Sequence, residues 1–229
     1  MTREPTSIST CIRAALLLSL AACGGGQAAP PATAAAPAGM PAASSGQLAR
    51  FAGLKVMVLP TQGVVATDSL GWRRSAGGDK SVLAALDSAL ADSLSGRGLG
   101  ALWIFPPALR RSVGRNPTYL SDLSAMRALD AVRVALRKRD DPLTEPFASQ
   151  LRALAGVSDA RYAFIPLEIR FEPILPGTSG RAALRSALVD ARLAQLVWVG
   201  DVMGDPSPAF GPGVIASLAQ RVADLVVSR

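Results

Sequence analysis

Carboxylates and lysines are the groups with which hydrolytic chemistry could begin, because this sequence of 229 residues contains no histidine. Without histidine there is no Ser-His-Asp triad, Cys-His dyad or histidine metal ligand. Glu168 and Glu172 lie about 13 Å apart along one predicted strand, too far to share a proton or to act as a glycosidase pair. Asp68 and Asp79 have no base beside them, and no serine neighbours Lys55 in the sequence. We therefore predict no enzyme activity, no cofactor and no metal, and we retain a carboxylate or Ser–Lys hydrolase as the least favoured alternative.

The glycine-rich residues 96–100 (Gly-Arg-Gly-Leu-Gly) are a candidate phosphate loop. A dinucleotide-binding loop follows a strand and opens a helix, whereas this one follows a predicted helix and precedes a strand. We interpret it as a turn that ends a helix.

Basic residues give the chain a formal charge of +7 and form two clusters. Their functional interpretation is contact with an anionic polymer, lipid headgroups or an acidic partner, and their alternative is a solvated helix end where the dipole favours cations. Nucleic acid is not expected as a partner because no aromatic stacking platform accompanies them. The clusters are Arg110, Arg111 and Arg115, and Arg133, Arg137, Lys138 and Arg139.

Tryptophans divide into two groups by their surroundings. Trp103 and Trp198 lie in predicted strands and are expected in the core. Trp72, Arg73 and Arg74 lie in a loop that glycines flank, so we expect Trp72 to be exposed and the three residues to form a partner contact.

The first fifty residues predict export and anchoring. Residues 1–22 have a basic start and a nine-residue apolar run, which is typical of a signal peptide and too short to span a bilayer. Leu20-Ala21-Ala22-Cys23 resembles the lipobox of bacterial lipoproteins, and this resemblance implies that Cys23 carries the lipid. Because Gly24 and not aspartate follows, the resemblance also implies the outer membrane. Residues 23–50 are rich in alanine, proline and glycine and predict a flexible tether.

Residues 51–229 predict one domain with a mixed sheet of about five strands and helices packed on it, an α/β (α+β) fold in the order β-α-β-α-α-β-β-β-α. Residues 167, 169 and 171 are expected on one face of the long strand, and Glu168, Arg170 and Glu172 on the other. Residues 61–78 are expected to be a loop, and Asp79 to be the N-cap of the first helix. Strands are predicted at 54–60, 101–105, 161–172, 182–193 and 195–202, and helices at 79–96, 121–138, 147–155 and 211–227.

This order, with a hairpin before the last helix, resembles periplasmic lipoproteins with the TolB amino-terminal-domain-like fold. Examples are the curli-secretion-channel lipoprotein, the lipoprotein activators of penicillin-binding proteins and exopolysaccharide-export lipoproteins. The matching positions are Asp190, Val197, Trp198, Gly200 and Val202. Ala194-Gln195 replaces the usual turn of the Asn-Gly or Asp-Gly type, and no long amphipathic insertion that could form a pore is present.

The resemblance implies a lipoprotein of the envelope, facing the periplasm, that works by assembly or by binding a protein partner or its own copies. The alternative is a binder of anionic glycan or lipid through the arginine clusters.

Overall fold

The computed structural model describes residues 42–116, 122–123, 126–137, 142–174 and 178–227. In this part of the chain the strand order across the sheet is β3-β1-β4-β5-β6, and β2 also pairs with β4. The pairs among β1, β2, β3 and β4 are parallel, whereas β4, β5 and β6 form an antiparallel meander. This confirms the predicted mixed-sheet α/β fold. The strands are β1 (Val56–Val58), β2 (Gly63–Val64), β3 (Trp103–Ile104), β4 (Tyr162–Pro173), β5 (Gly180–Asp190) and β6 (Gln195–Met203).

Helices pack on both faces of the sheet. α2 and α6 cover one face, and α3, α4 and α5 cover the other, so the domain has three layers. The strand β1 shows why: Val56 and Val58 enter one hydrophobic core and Met57 enters the other, as expected for a parallel strand that is buried on both faces. The helices are α1 (Trp72–Ser75), α2 (Asp79–Gly96), α3 (Pro106–Arg115), α4 (Ala128–Arg137), α5 (Phe147–Ser158) and α6 (Pro212–Val226).

The sheet has two ends, which we name by the turns that lie there. At the basal end β1 and β4 begin and β5 turns into β6, with Tyr162 beside Asp190. At the apical end β4 leads to β5, with Pro173 beside Gly180.

A bulge in β4 changes which side chains share a face. The pairing of β4 with β5 shifts between Pro166 and Glu168. Leu167 therefore lies in the second core, while Ile169 and Phe171 lie in the first. The prediction of one common face for these three side chains was wrong because a bulge adds one residue and reverses the alternation.

The region between β1 and α2 is not the predicted loop. It contains the short strand β2 and the helix α1. Asp79 is the first residue of α2, Gly78 holds the cap position, and no side chain caps this end. The capping prediction was wrong because the Asp79 carboxylate binds the guanidinium of Arg73 instead.

The helix α3 was not predicted. Pro106 and Pro107 come directly after the strand predicted at 101–105 and open this helix, because proline is favoured in the first turn of a helix, where its missing N–H costs nothing. The helix predicted at 121–138 begins later, at Ala128, because the described residues before it, 122–123 and 126–127, are not α-helical; it is described to Arg137, and Ser121 and Lys138 lie outside the described residues.

Residues from Ala42 onwards contact the folded domain, although they lie within the range assigned to the tether. Ala42 forms a parallel bridge with Asp201, and the N–H of Ala43 donates to the carbonyl of Asp201 at 2.8 Å. Leu48 is only 2% exposed. The residues immediately before β1 thus close one side of the first core.

Candidate functional site

Trp72 is buried and cannot be the exposed contact that its loop suggested. The residue is 5% exposed and opens α1. Its ring lies 5.8 Å from that of Phe171 and 6.1 Å from that of Phe210, both in edge-on geometry. Its ring also lies close to Gly180, where an added Cβ would come within 3.1 Å of it. Trp72 therefore closes the apical end of the first core, and the prediction of a surface role was wrong.

Arg73 is held in place beside Trp72. Its Nη2 donates to Asp79 Oδ2 at 2.6 Å, and its backbone N–H donates to Asp68 Oδ2 at 2.6 Å. The hydrogen bond to Asp79 raises the pKa of Arg73. Arg74 is exposed, and no carboxylate among the described residues pairs with it. A cavity of about 340 Å³ lies here, lined by Ala66, Asp68, Gly71, Arg73, Arg74 and Gly78.

The first arginine cluster lies on α3. Arg110 Nη2 is 3.9 Å from Asp87 Oδ2, and Asp87 Oδ1 accepts hydrogen bonds from the N–H of Thr61 at 2.8 Å and from its hydroxyl at 2.7 Å. Asp87 is therefore occupied mainly in holding the turn after β1. Arg111 and Arg115 are exposed and form no ion pair with a described residue.

The second arginine cluster is only partly described. Arg133 and Arg137 lie on α4 and are exposed, whereas Lys138 and Arg139 lie outside the described residues. Arg133 Nη2 donates to Glu168 Oε2 at 2.7 Å. This contact joins α4 to the sheet, so Arg133 is not a free cation.

Glu168 belongs to a set of charged side chains on the face of β4, β5 and β6, which we call the charged ladder. Arg185 donates to Asp201 through Nε at 2.9 Å and Nη2 at 3.1 Å, and Arg185 Nη1 lies 3.7 Å from Glu168. Arg170 bridges Asp201 at 3.0 Å and Glu172 at 2.6 Å. The members are Arg133, Glu168, Arg170, Glu172, Arg181, Arg185 and Asp201.

Asp201 is the anchor of the charged ladder and is 2% exposed. Burial by itself would raise the pKa of Asp201, but the hydrogen bond from Arg185 and the charges of Arg170 and Arg185 outweigh it and lower the pKa below its usual value. The carboxylate therefore stays ionised. The sequence alone could not have found this set, because Glu168 and Arg185, and Arg185 and Asp201, come together only through the register of three strands.

The hairpin turn has its own organising carboxylate. Asp190 is 4% exposed, its Oδ1 accepts the N–H groups of Arg192 at 3.1 Å and Leu193 at 3.2 Å, and Arg161 Nε donates to its Oδ2 at 2.8 Å. Ala194 takes a positive φ of 54°. Asp190 thus does locally what an Asn-Gly turn does in other hairpins.

A groove of about 320 Å³ with a mostly apolar lining lies between α2 and α6. Its lining includes Val82, Ala85 and Ala89 of α2, Ile215 and Ala216 of α6, and Phe210. Such a surface suits an apolar contact and offers no group for acid–base chemistry.

Two kinds of specialised site are absent from the described ranges. No group of three or more Cys, Asp or Glu side chains there could hold a metal ion. None of the helices described is both long and apolar enough to cross a bilayer.

Comparison with known proteins gives distant structural likenesses. No family model matches the chain, and no curated protein matches it in sequence. A PelC dodecamer from Paraburkholderia phytofirmans is 15% identical, with a TM-score of 0.38, over 81% of this chain and 95% of that one. The lipoprotein GNA1162 from Neisseria meningitidis is 14% identical, with a TM-score of 0.37, over 75% of this chain and 96% of that one. At these TM-scores no function or assembly state transfers, and the resemblance to the TolB-like group stays a prediction.

Proposed function

We propose that this protein is a lipid-anchored lipoprotein of the bacterial envelope that acts by binding a protein partner or its own copies, without catalysing a reaction. One observation carries the proposal: Leu20-Ala21-Ala22-Cys23, which resembles an acyl-acceptor motif, precedes a folded body whose described residues start at Ala42. Acylation of the cysteine thiol would attach that body to a membrane.

The length of the linking segment supports this arrangement. Residues 24–41 lie between Cys23 and Ala42 and span at most about 60 Å when fully extended. The body can therefore contact proteins near the membrane surface but not far from it. An outer-membrane location with the body in the periplasm is the arrangement we propose.

The anchoring step is tested by mass. We expect the natural protein to begin at Cys23 and to carry acyl chains, and a Cys23→Ala variant to be unmodified and to separate from the membrane fraction. An unmodified Cys23 in membrane-derived protein would contradict the proposal.

The partner-binding step is tested by photo-crosslinking in intact cells. A photoreactive residue at Ala216, at Arg111 or at Arg181 places the probe in the groove, on α3 or on the charged ladder. We expect one of these positions, and not all three, to give a discrete crosslinked product that mass spectrometry identifies. Equal, diffuse labelling from every position, with a monomeric protein in solution, would argue against a partner-binding role.

A second candidate is binding of an anionic glycan or lipid headgroup through arginines. Four of the predicted cations, Arg74, Arg111, Arg115 and Arg137, are exposed and form no ion pair with a described residue. Free guanidinium groups are the form in which arginine can bind carboxylate or phosphate.

This candidate is tested with an acidic polysaccharide as the probe. Arg111→Gln with Arg115→Gln should weaken binding, and high salt should weaken it further. The matched control, Arg152→Gln with Arg221→Gln, removes the same charge from arginines that already pair with Glu145 and Asp205. Equal losses for both double variants would indicate a nonspecific effect of net charge.

A further inference from the structure

Exposed aliphatic side chains gather at the basal end of the sheet. Leu54 is 41% exposed and precedes β1, Val157 is 38% exposed near the end of α5, and Leu193 is 54% exposed in the turn from β5 to β6. They share one end because β1 and β4 start there in parallel and the β5–β6 turn lies beside the start of β4. One other large hydrophobic of the described residues, Leu136, is comparably exposed.

Cations surround these three side chains. Lys55 binds Asp159 at 2.8 Å, Arg161 binds Asp190 at 2.8 Å, and Arg97 pairs with Asp224. In each pair one positive charge neutralises one negative charge. The end thus presents aliphatic groups among charges that are already neutralised.

Two further arginines at this end form no ion pair with a described residue, although Asp159, whose pKa is lowered mainly by the Lys55 hydrogen bond, also feels the charge of Arg192. Arg50 lies 4.8 Å from the centre of the Phe51 ring, which in turn packs on Tyr162 at the start of β4. Arg192 lies in the β5–β6 turn, and both arginines are exposed. The basal end therefore carries a surplus of positive charge beside exposed aliphatic groups.

We infer that the basal end is a membrane-docking surface: Leu54, Val157 and Leu193 enter the headgroup region of an anionic bilayer while Arg50 and Arg192 bind lipid phosphates. This inference rests on the proposed function for the anchor that brings the bilayer near. Aliphatic insertion combined with basic attraction is how proteins lie on membranes without crossing them. Docking fixes the orientation of the body, so that α1 and the apical end point away from the bilayer.

The experiment measures how deeply two labelled positions of the full-length acylated chain lie in the membrane. The protein is placed in vesicles of phosphatidylethanolamine and phosphatidylglycerol, in a ratio of about 3 to 1, whose acyl chains are brominated. A fluorescent dye is attached at Leu193→Cys, or at Leu136→Cys as the matched exposed leucine. Leu136 follows Arg133, which binds Glu168, and Glu168 lies about 20 Å along β4 from the basal end.

We expect bromine to quench the dye at position 193 strongly and the dye at position 136 weakly. Arg50→Gln with Arg192→Gln should lower the ratio of docked to undocked protein roughly 30-fold at low salt. Each basic residue near an anionic surface raises that ratio by a factor of about 5. Arg73→Gln with Arg181→Gln removes the same charge at the apical end, where Arg73 follows Trp72 and Arg181 pairs with Glu172, and should leave the quenching unchanged.

Two results would overturn the inference: equal quenching at both dye positions, or equal effects of both arginine double variants. The first would mean that the body does not dock by this end, and the second that the two arginines only add to net charge. Mass measurement on the same sample reports acylation, so loss of the anchor and loss of docking are separate results. If Cys23 proves unmodified, the unacylated chain with Cys23→Ser and added vesicles gives the same dye comparison.

Discussion

Asp201 is the residue on which the charged ladder depends. Its carboxylate accepts three hydrogen bonds from Arg170 and Arg185 while it is 2% exposed, so its loss would leave two guanidinium groups facing a neutral amide. We expect Asp201→Asn to lower the free energy of unfolding by about 2–3 kcal/mol in urea titrations. The matched Asp205→Asn, whose pair with Arg221 is more than half exposed, should cost less than about 1 kcal/mol. Equal costs for the two variants would refute a structural role for the ladder.

The Asp201 carboxylate should also make the stability of the protein depend on pH. Burial opposes its charge, but the Arg185 hydrogen bond and the Arg170 charge prevail, so the pKa of Asp201 is lower in the folded than in the unfolded chain. Its stabilisation is therefore complete above the unfolded pKa, about 3.9, and is lost as the pH falls through the lower folded value. We expect the difference in unfolding free energy between wild type and Asp201→Asn to shrink below about pH 4. A difference that stays constant from pH 6 to about pH 2 would contradict this assignment.

Gly200 is required by the position of a neighbouring ring. A Cβ at this position would overlap the indole of Trp198, which lies on the same face of β6. We expect Gly200→Ala to destabilise the protein by about 1–3 kcal/mol in urea titrations. With Trp198→Val the combined cost should be smaller than the sum of the two. Gly213→Ala, in the first turn of α6 where no atom would contact the new Cβ, serves as the control and should be close to neutral.

At the scale of elements, α5 contains a glycine that wrongly indicated the end of the helix. Gly156 was predicted to end this helix, but the helix continues to Ser158 and Asp159 takes the left-handed position with a φ of 48°. A Cβ at Gly156 would meet no atom within 4 Å. We expect Gly156→Ala to raise the free energy of unfolding by about 0.5–1 kcal/mol, measured in urea. A decrease would mean that this turn of the helix is not formed in solution.

The elements with strong periodicity were predictable from the sequence, and the short ones were not. The stripe of Val82, Leu83, Leu86, Leu90 and Leu94 predicts α2, in which all but Leu83 are buried, and the apolar run of β1 predicts a buried strand. β2 has two residues and α1 has four, which is too short for any period to show. The bulge in β4 follows from pairing with β5, which is a tertiary contact that local sequence does not contain.

The candidate site was predictable only in part, because its remaining contacts join residues that are far apart in the sequence. Composition and spacing located the exposed arginines Arg111, Arg115 and Arg137, but not which arginines are already paired. The partners of Arg110 and Arg133, Asp87 and Glu168, lie 23 and 35 positions away. Burial of Trp72 depends on Phe171 and Phe210, which are farther still.

At the scale of the whole molecule, the two ends of the sheet differ in what covers them. Aromatic packing around Trp72 closes the apical end, while the basal end exposes aliphatic groups. We expect Trp72→Ala to cost about 3–5 kcal/mol of unfolding free energy in urea, because it removes a buried ring. Leu193→Gln at the basal end should change it by less than about 0.5 kcal/mol, because that side chain is on the surface. A small loss of unfolding free energy for Trp72→Ala would indicate that this side chain is exposed, as the sequence suggested.

The last prediction for the whole chain concerns the position of the boundary between the tether and the folded body. Gly46 N–H and Leu48 N–H donate to the carbonyls of Asp224 and Leu225 at 2.7 Å, and Phe51 is 3% exposed. A chain that starts at residue 42 should therefore keep its unfolding free energy within about 0.5 kcal/mol, whereas one that starts at residue 54 should lose about 3–6 kcal/mol. Leu48→Ala in the full chain, expected to cost about 2–5 kcal/mol in the same urea titration, separates lost packing from lost chain. Equal stability of the two truncated chains would mean that residues 42–53 belong to the tether.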